Sequence, residues 1–265
     1  IPMEEYIYST VKIMFHCNTC GNEWMTTPSR IISGNGCPNC AIISNRISKE
    51  EILNGIIEQG FLPLYFNKDA QVSIDLMKTL YKCGVKSLEY TNRGDDALQN
   101  FKAMKAVRDA ELPGMALGVG TIKNTKDAQA FIDAGADFLI GPGYEQGVAD
   151  LAKAKDIFYS PGCMTPSEII TAENNGIQLV KLFPGNILGP EFMAGIKEVF
   201  RNLKFMPTGG VDLDLGNLSA WFTAGVCAVG MGSKLITKKI MEDKDYATLE
   251  TKIKLCFELV KEARK

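Results

Sequence analysis

Between residues 61 and 232 the chain repeats one alternation, a short apolar run followed by a longer stretch with apolar residues three or four apart. The runs are "FLPLYF" (61–66), "VKSLEYT" (85–91), "MALGVGT" (115–121), "DFLIGPG" (137–143), "IFYSPG" (157–162), "IQLVKLFP" (177–184), "KFMPTGG" (204–210) and "VCAVGMG" (226–232). Short runs that are apolar on successive positions predict strands buried on both faces, the habit of parallel sheets. Stretches such as "AQVSIDLMKTLYKCG" and "KDAQAFIDAGA" predict the helices between them. Ser48, with Glu51 three residues on, predicts a capping box where the first of these helices begins.

One joint recurs, in "KCGVKSLEY", "DAGADFLIG", "NNGIQLVK" and "TAGVCAVG". A glycine just past a helix end takes the left-handed conformation cheaply, so a strand can start at once. Eight such strand–helix units within residues 47–265 predict a (β/α)8 TIM barrel, with an open doubly wound sheet as the competing arrangement. In a barrel the chemistry gathers at the C-terminal ends of the strands.

The sixth run places Lys181 among Ile177, Leu179, Val180, Leu182 and Phe183. An ammonium is costly to bury, and burial lowers its pKa until the neutral amine becomes a usable nucleophile. Such an amine adds to a ketone and forms a Schiff base, an electron sink for carbon–carbon cleavage. The bland reading is a lysine that reaches solvent or pairs with Glu89. Glu89, the lone acid in "SLEYT", is the candidate for proton transfer, because the only histidine, His16, lies outside the periodic body. That excludes a serine–histidine–aspartate hydrolase or a histidine-ligated catalytic metal within the body. Arg93 and Thr121 follow the second and third strands. "PTGG" and "GMGS", with Ser233 expected to open a helix, offer backbone N–H groups for an anion after strands seven and eight.

The first 46 residues read differently. Cys17-x-x-Cys20 and Cys37-x-x-Cys40 have the spacing of a four-thiolate zinc site. So short a module cannot bury enough surface to fold on packing alone, and a structural Zn2+ is the expected staple. Its ending, "GNGCPNC", resembles treble-clef ribbons, which serve as nucleic-acid, protein or purely structural modules. A polar hinge, "SNRISKEE", leads out of it. The expected division is therefore 1–46 for the ribbon and 47–265 for the barrel.

Composition narrows the functional classes. Among 265 residues the formal charge is −2, which argues against binding nucleic acid or anionic membrane through bulk charge. The ribbon carries only Lys12, Arg30 and Arg46 against Glu4, Glu5 and Glu23, so nucleic acid is disfavoured there too. No apolar run approaches the roughly 20 residues needed to span a bilayer. Thiols arranged for metal, not for disulfides, and the lack of a basic-then-apolar leader imply the cytoplasm.

With these residues assembled, the body from about residue 48 resembles the 2-keto-3-deoxy-6-phosphogluconate / 4-hydroxy-2-oxoglutarate (KDPG/KHG) aldolase family. The resemblance rests on "LEYTNRG", "GVGTI", "GPG", "SPGCMTPSE", "KLFPG", "PTGGV" and "GMGSKLI", all in family order. It implies a class I aldolase that needs no cofactor, with Lys181 as the Schiff-base lysine and Glu89 as the proton shuttle. It implies further that Arg93 and Thr121 bind the pyruvate carboxylate, and that Pro142 and Phe183 line the pocket. Thr208, Gly209, Gly210 and Ser233 would surround the distal, often phosphorylated, end of a 2-keto acid substrate. A homotrimer is implied as well. The chain departs from the family at "PLYFNK", where Phe66 or a neighbour stands in place of an arginine, and in carrying the ribbon. Two other readings are a galactonate-series aldolase and a zinc-ribbon adaptor with the barrel as passenger.

Overall fold

The computed structural model describes residues 1–3, 8–38, 40 and 47–265. Glu4, Glu5 and Arg46 of the ribbon's charge count, and the start of the hinge, lie outside the described residues. The chain divides into two compact units, Ile1–Arg46 and Ile47–Lys265.

In the first unit an antiparallel hairpin pairs β1 (Ile13–His16) with β2 (Glu23–Thr26), Ile13 opposite Thr26 and His16 opposite Glu23. Alternation turns Ile13 and Phe15 inward, and the Phe15 ring lies 5.8 Å from that of Trp24. A short helix, α1 (Pro28–Ile32), follows. Met25 and Ile32 stay exposed. That is a thin apolar core.

The second unit is a parallel α/β fold. Each apolar run becomes a strand: β3 (Phe61–Tyr65), β4 (Ser87–Thr91), β5 (Ala116–Gly120), β6 (Phe138–Ile140), β7 (Phe158–Ser160) with β8 (Gly162–Cys163), β9 (Leu179–Leu182), β10 (Lys204–Pro207) and β11 (Val229–Met231). Most of the runs extend past their strands, because their last residues leave the ladder and form the loops that carry polar groups. The joints behave as read: Gly84, Gly135, Gly176 and Gly225 all have φ between 78° and 110°.

Among the described residues of this second unit the ladders form two sheets and not one ring of eight: β11-β3-β4-β5-β6-β7 and β10-β9-β8. Two local causes divide them. Pro161 splits the fifth strand into β7 and β8, and a single bridge, Thr208 to Gly230, links β10 to β11. The last strand nonetheless pairs with the first, Val229 opposite Phe61.

Helix α2 (Lys49–Gln59) carries the expected capping box of Ser48 and Glu51. Its buried Ile52 and Ile56 join Leu62, Ala116, Phe138, Ile140, Phe158, Leu179, Met206 and Ala228 in one apolar cluster. That cluster draws on every strand run except the second. A second cluster, which includes Leu88, Tyr90, Val180 and Leu182, packs the opposite faces of the strands against the helices. Strand alternation therefore assigns Leu179 and Lys181 to one face, and Val180 and Leu182 to the other.

Candidate active site

Lys181 and Glu89 are brought together by that alternation. On β9 Lys181 shares the face of Leu179; on β4 Glu89 lies between Leu88 and Tyr90, which turn to the helical layer. Lys181 is 5% exposed and Glu89 1%. The Lys181 Nζ is 3.9 Å from the Glu89 Oε1, too far for a hydrogen bond. Both carboxyl oxygens of Glu89 are buried without a hydrogen-bond partner. Burial pushes the Lys181 amine below the ordinary lysine value; Glu89 pulls it back and Arg93 lowers it further. Burial also raises the Glu89 carboxyl, against the pull of Lys181 and Arg93. Both shifts disfavour the charged forms relative to water.

The third strand makes room for this pair. A Cβ on Gly118 would overlap the Phe138 ring, and one on Gly120 would overlap the Glu89 carboxyl. Glycine two residues apart on one face is thus a steric requirement. The next residue, Thr121, has φ 64°, a costly conformation for a β-branched residue.

Beside the pair opens a cavity of about 450 Å3 whose wall includes Arg93, Phe183, Thr208, Gly209, Gly210 and Ser233. The Phe183 ring centroid lies 5.4 Å from the Lys181 Nζ, so the same ring lines the cavity and covers the amine. Thr208 is buried, its Oγ1 has no partner, and a Cβ on Gly230 would collide with it. Gly209 and Gly210 have φ 89° and 70°, which only glycine adopts readily. Lys181, Glu89, Thr121 and Pro142 are not in the wall. Thr121 follows the glycine that faces Glu89. The Pro142 carbonyl packs on Gly162, the register partner of Lys181.

Ser233 does not open a helix. Residues 232–236 form a closed turn, Ile236 N–H to Gly232 O at 2.9 Å, and the next helix, Lys238–Asp243, begins only after Thr237 caps Ile240. The hydroxyl of Thr237 is the better N-cap, which moves the helix start four residues on. Phe66 also lines the cavity, its ring against Gly94. Three features escaped the sequence reading: the clearance at Gly120, the buried hydroxyl of Ser160, and an ion pair between Asp212 and Lys234 in the cavity wall. Only the first had a signal, the period-two glycines of "GVG".

In the first unit the Sγ atoms of Cys17, Cys20, Cys37 and Cys40 lie within 4.8 Å of one another, Cys17 to Cys40 at 3.4 Å and Cys20 to Cys37 at 3.6 Å. Four thiolates around Zn2+ stand about 3.8 Å apart, so the four positions fit that ion. The backbone N–H groups of Cys20 and then Thr19 hold the Cys17 thiol down to about 6. It is a ready thiolate.

Comparisons with known proteins match both units of the chain. Residues 52–252 match the family profile described as KDPG and KHG aldolase, and residues 2–42 match one described as a probable treble clef zinc finger domain. The 2-dehydro-3-deoxy-phosphogluconate aldolase of Pseudomonas aeruginosa is 29% identical over 196 residues, 73% of this chain and 86% of that protein. The 2-dehydro-3-deoxy-6-phosphogalactonate aldolase of Escherichia coli is 29% identical over 135 residues, 51% of this chain and 65% of that protein. The crystal structure of the 2-keto-3-deoxy-6-phospho-gluconate aldolase of Zymomonas mobilis superposes with a TM-score of 0.67 at 26% identity, covering 77% of this chain and 95% of that one. No helix among the described residues is long and apolar enough to cross a membrane.

Proposed function

Because the chain belongs to the KDPG and KHG aldolase family and is therefore a carbon–carbon lyase, we propose that it cleaves a 2-keto-4-hydroxy acid to pyruvate and an aldehyde through a Schiff base on Lys181. The observation that carries this reading is the buried Lys181–Glu89 pair, 3.9 Å apart with no hydrogen bond to the carboxyl. A surface lysine is protonated and inert at neutral pH; desolvation moves a lysine toward the neutral, nucleophilic amine.

The residues divide the reaction between them. The Lys181 amine adds to the C2 ketone, and loss of water gives the iminium. The positive charge of the iminium holds Glu89 as a carboxylate, and it takes the proton of the C4 hydroxyl. The C3–C4 bonding electrons move into the iminium, and the aldehyde departs. The enamine then takes a proton at C3, and hydrolysis frees pyruvate and the amine. Arg93 supplies a cation for the pyruvate carboxylate, and Thr121, held at positive φ beside Gly120, a hydroxyl and an N–H. Pro142 and Phe183 bound the reacting end. Thr208, Gly209, Gly210 and Ser233 bound the distal end, where left-handed glycines favour a phosphate.

We read the substrate as 2-keto-3-deoxy-6-phosphogluconate first and 4-hydroxy-2-oxoglutarate second. The galactonate-series isomer is the competing substrate, supported by the E. coli relative. We also take the two parallel sheets to be arcs of one closed (β/α)8 barrel, supported by the pairing of β11 with β3 and by the apolar cluster drawn from nearly every strand. With this reading go a homotrimer, a cytoplasmic setting consistent with cysteines that form no disulfides among the described residues, and a structural Zn2+ on the four ribbon thiolates. In the test, pyruvate plus borohydride should place a reduced adduct on Lys181, located by peptide mass mapping, and inactivate the protein. A label scattered over surface lysines would sink the assignment.

A further inference from the structure

The distal wall of the cavity holds a charge pair that the cleavage step does not use. Lys234, next to Ser233, and Asp212, just past the Gly209–Gly210 loop, both line the cavity, with the Lys234 Nζ 2.8 Å from the Asp212 Oδ1. Arg93 and Lys234 are the cationic side chains of that wall and Asp212 is its carboxylate. Arg93 acts on both Glu89 and Lys181, so it belongs to the reacting end. Phe66 is apolar. The far end is thus left with one side-chain cation, already engaged by a carboxylate.

Both partners are held by their backbones. Asn217 accepts the Asp212 N–H at 2.9 Å and donates to the Gly210 carbonyl at 3.0 Å. The Lys234 carbonyl accepts from the Lys252 Nζ at 2.9 Å, and Lys234 sits inside the 232–236 turn. The side chains are 60% and 46% exposed. An ion pair that wet contributes little to stability, so exchanging its anion for a ligand's costs little.

We propose that Asp212 and Lys234 form a charge filter for the distal end of the substrate, an inference that rests on the aldolase reading above. Lys234 leaves Asp212 for a terminal phosphate, because a dianion competes better for an ammonium than a single carboxylate does. Asp212 keeps Lys234 from weaker anions and repels them. A keto acid with a carboxylate or a hydroxyl at its far end meets a closed pair and gains nothing from Lys234. The filter therefore favours a phosphorylated six-carbon 2-keto-3-deoxy acid over a short dicarboxylate.

The test compares kcat/KM for 2-keto-3-deoxy-6-phosphogluconate, its unphosphorylated analogue and 4-hydroxy-2-oxoglutarate. Lys234→Met should lower the value for the phosphorylated substrate about 10- to 150-fold, mostly through KM, the loss expected for a hydrogen bond to a charged group. The unphosphorylated analogue should change less than about threefold. Asp212→Asn should raise the value for 4-hydroxy-2-oxoglutarate about threefold or more by removing the repelling carboxylate. A Lys234→Met variant that loses activity equally on all three substrates, or on none, overturns the filter while pyruvate trapping on wild-type Lys181 still stands. Absence of trapping in the wild type overturns the aldolase reading and the filter with it.

Discussion

Arg108 and Asp137 meet where the fourth strand begins; Lys181 and Glu89 meet across the inner face of the sheets. Both are buried cation–carboxylate pairs, and they are built to opposite specifications. The Arg108 Nη2 reaches both Asp137 oxygens, at 2.8 and 3.0 Å, and the Leu117 N–H adds a bond at 2.8 Å. Asp109 lies 3.1 Å from the Arg108 Nε and also takes Lys105. At the other pair the charges stand 3.9 Å apart and the carboxyl has no hydrogen bond. Burial raises the carboxyl pKa at both places, so hydrogen bonding, not titration, separates them. A buried carboxylate held by hydrogen bonds, as Asp137 is, keeps one geometry; one without them, as Glu89 is, keeps its free energy available for a substrate. In (β/α) folds stability belongs to the N-terminal ends of the strands and chemistry to the C-terminal ends.

Removing the cation from each pair gives the largest effects and tests this most directly. Arg108→Met strands a carboxylate that cannot leave its bonds, and should cost about 3–5 kcal/mol in denaturant unfolding. Its folded fraction should cleave substrate at the wild-type rate. Lys181→Met should abolish cleavage, yet lower stability by less than about 1 kcal/mol, because Glu89 can take up a proton in a site that already favours its neutral form. Equal losses of stability in the two variants would erase the distinction.

Much of this was legible in one dimension. The strands declared themselves as apolar runs, the joints as glycines, Lys181 as a charge out of place, and the ribbon as paired cysteines. The Arg108–Asp137 pair did not. Arg108 reads as an ordinary surface charge on a helix, and its partner lies 29 residues away beyond a strand and another helix. Only the fold brings Asp137 beneath it. Pro161 reads as part of one strand run, "IFYSPG", but it divides a strand whose two halves join different sheets. Ser233 was expected at a helix start because "GMGS" resembles one. The better N-cap, Thr237, lay four residues further on. Local pattern gives the faces of strands well and the ends of helices poorly.

Glycine substitutions sharpen the comparison at intermediate size. A Cβ at Gly120 would take the space of the Glu89 carboxyl, and the glycine's φ is not left-handed, so the backbone itself tolerates alanine. Gly120→Ala should push the carboxyl aside and lower kcat about 100- to 10,000-fold, the span of a lost general base, while pyruvate still traps on Lys181. Gly135→Ala is the counterpart at the other pair. There φ is 88° and a Cβ would come within 2.9 Å of the Lys105 Cε. It should cost about 1 kcal/mol or more of stability and leave kcat within twofold. If Gly120→Ala cuts trapping and cleavage alike, the glycine supports the fold of the site and not Glu89 alone.

The smallest effect is a shift in pH dependence, and its sign is fixed by the charges around Lys181. Schiff-base formation needs the neutral amine, so borohydride trapping with pyruvate should rise with pH through the lowered pKa of Lys181. Burial sets that direction, the negative charge of Glu89 opposes it, and the positive charge of Arg93 adds to it. Glu89→Gln deletes the opposing charge, so the limb should move to lower pH. Arg93→Gln deletes a charge that favours the neutral amine, so its limb should move to higher pH, by less, because Arg93 is exposed and screened. Opposite displacements would place Lys181 in the field of both residues. Displacements of the same sign, or a limb at the ordinary lysine value in the wild type, would mean that the amine is solvated during the reaction and that its burial is not what activates it.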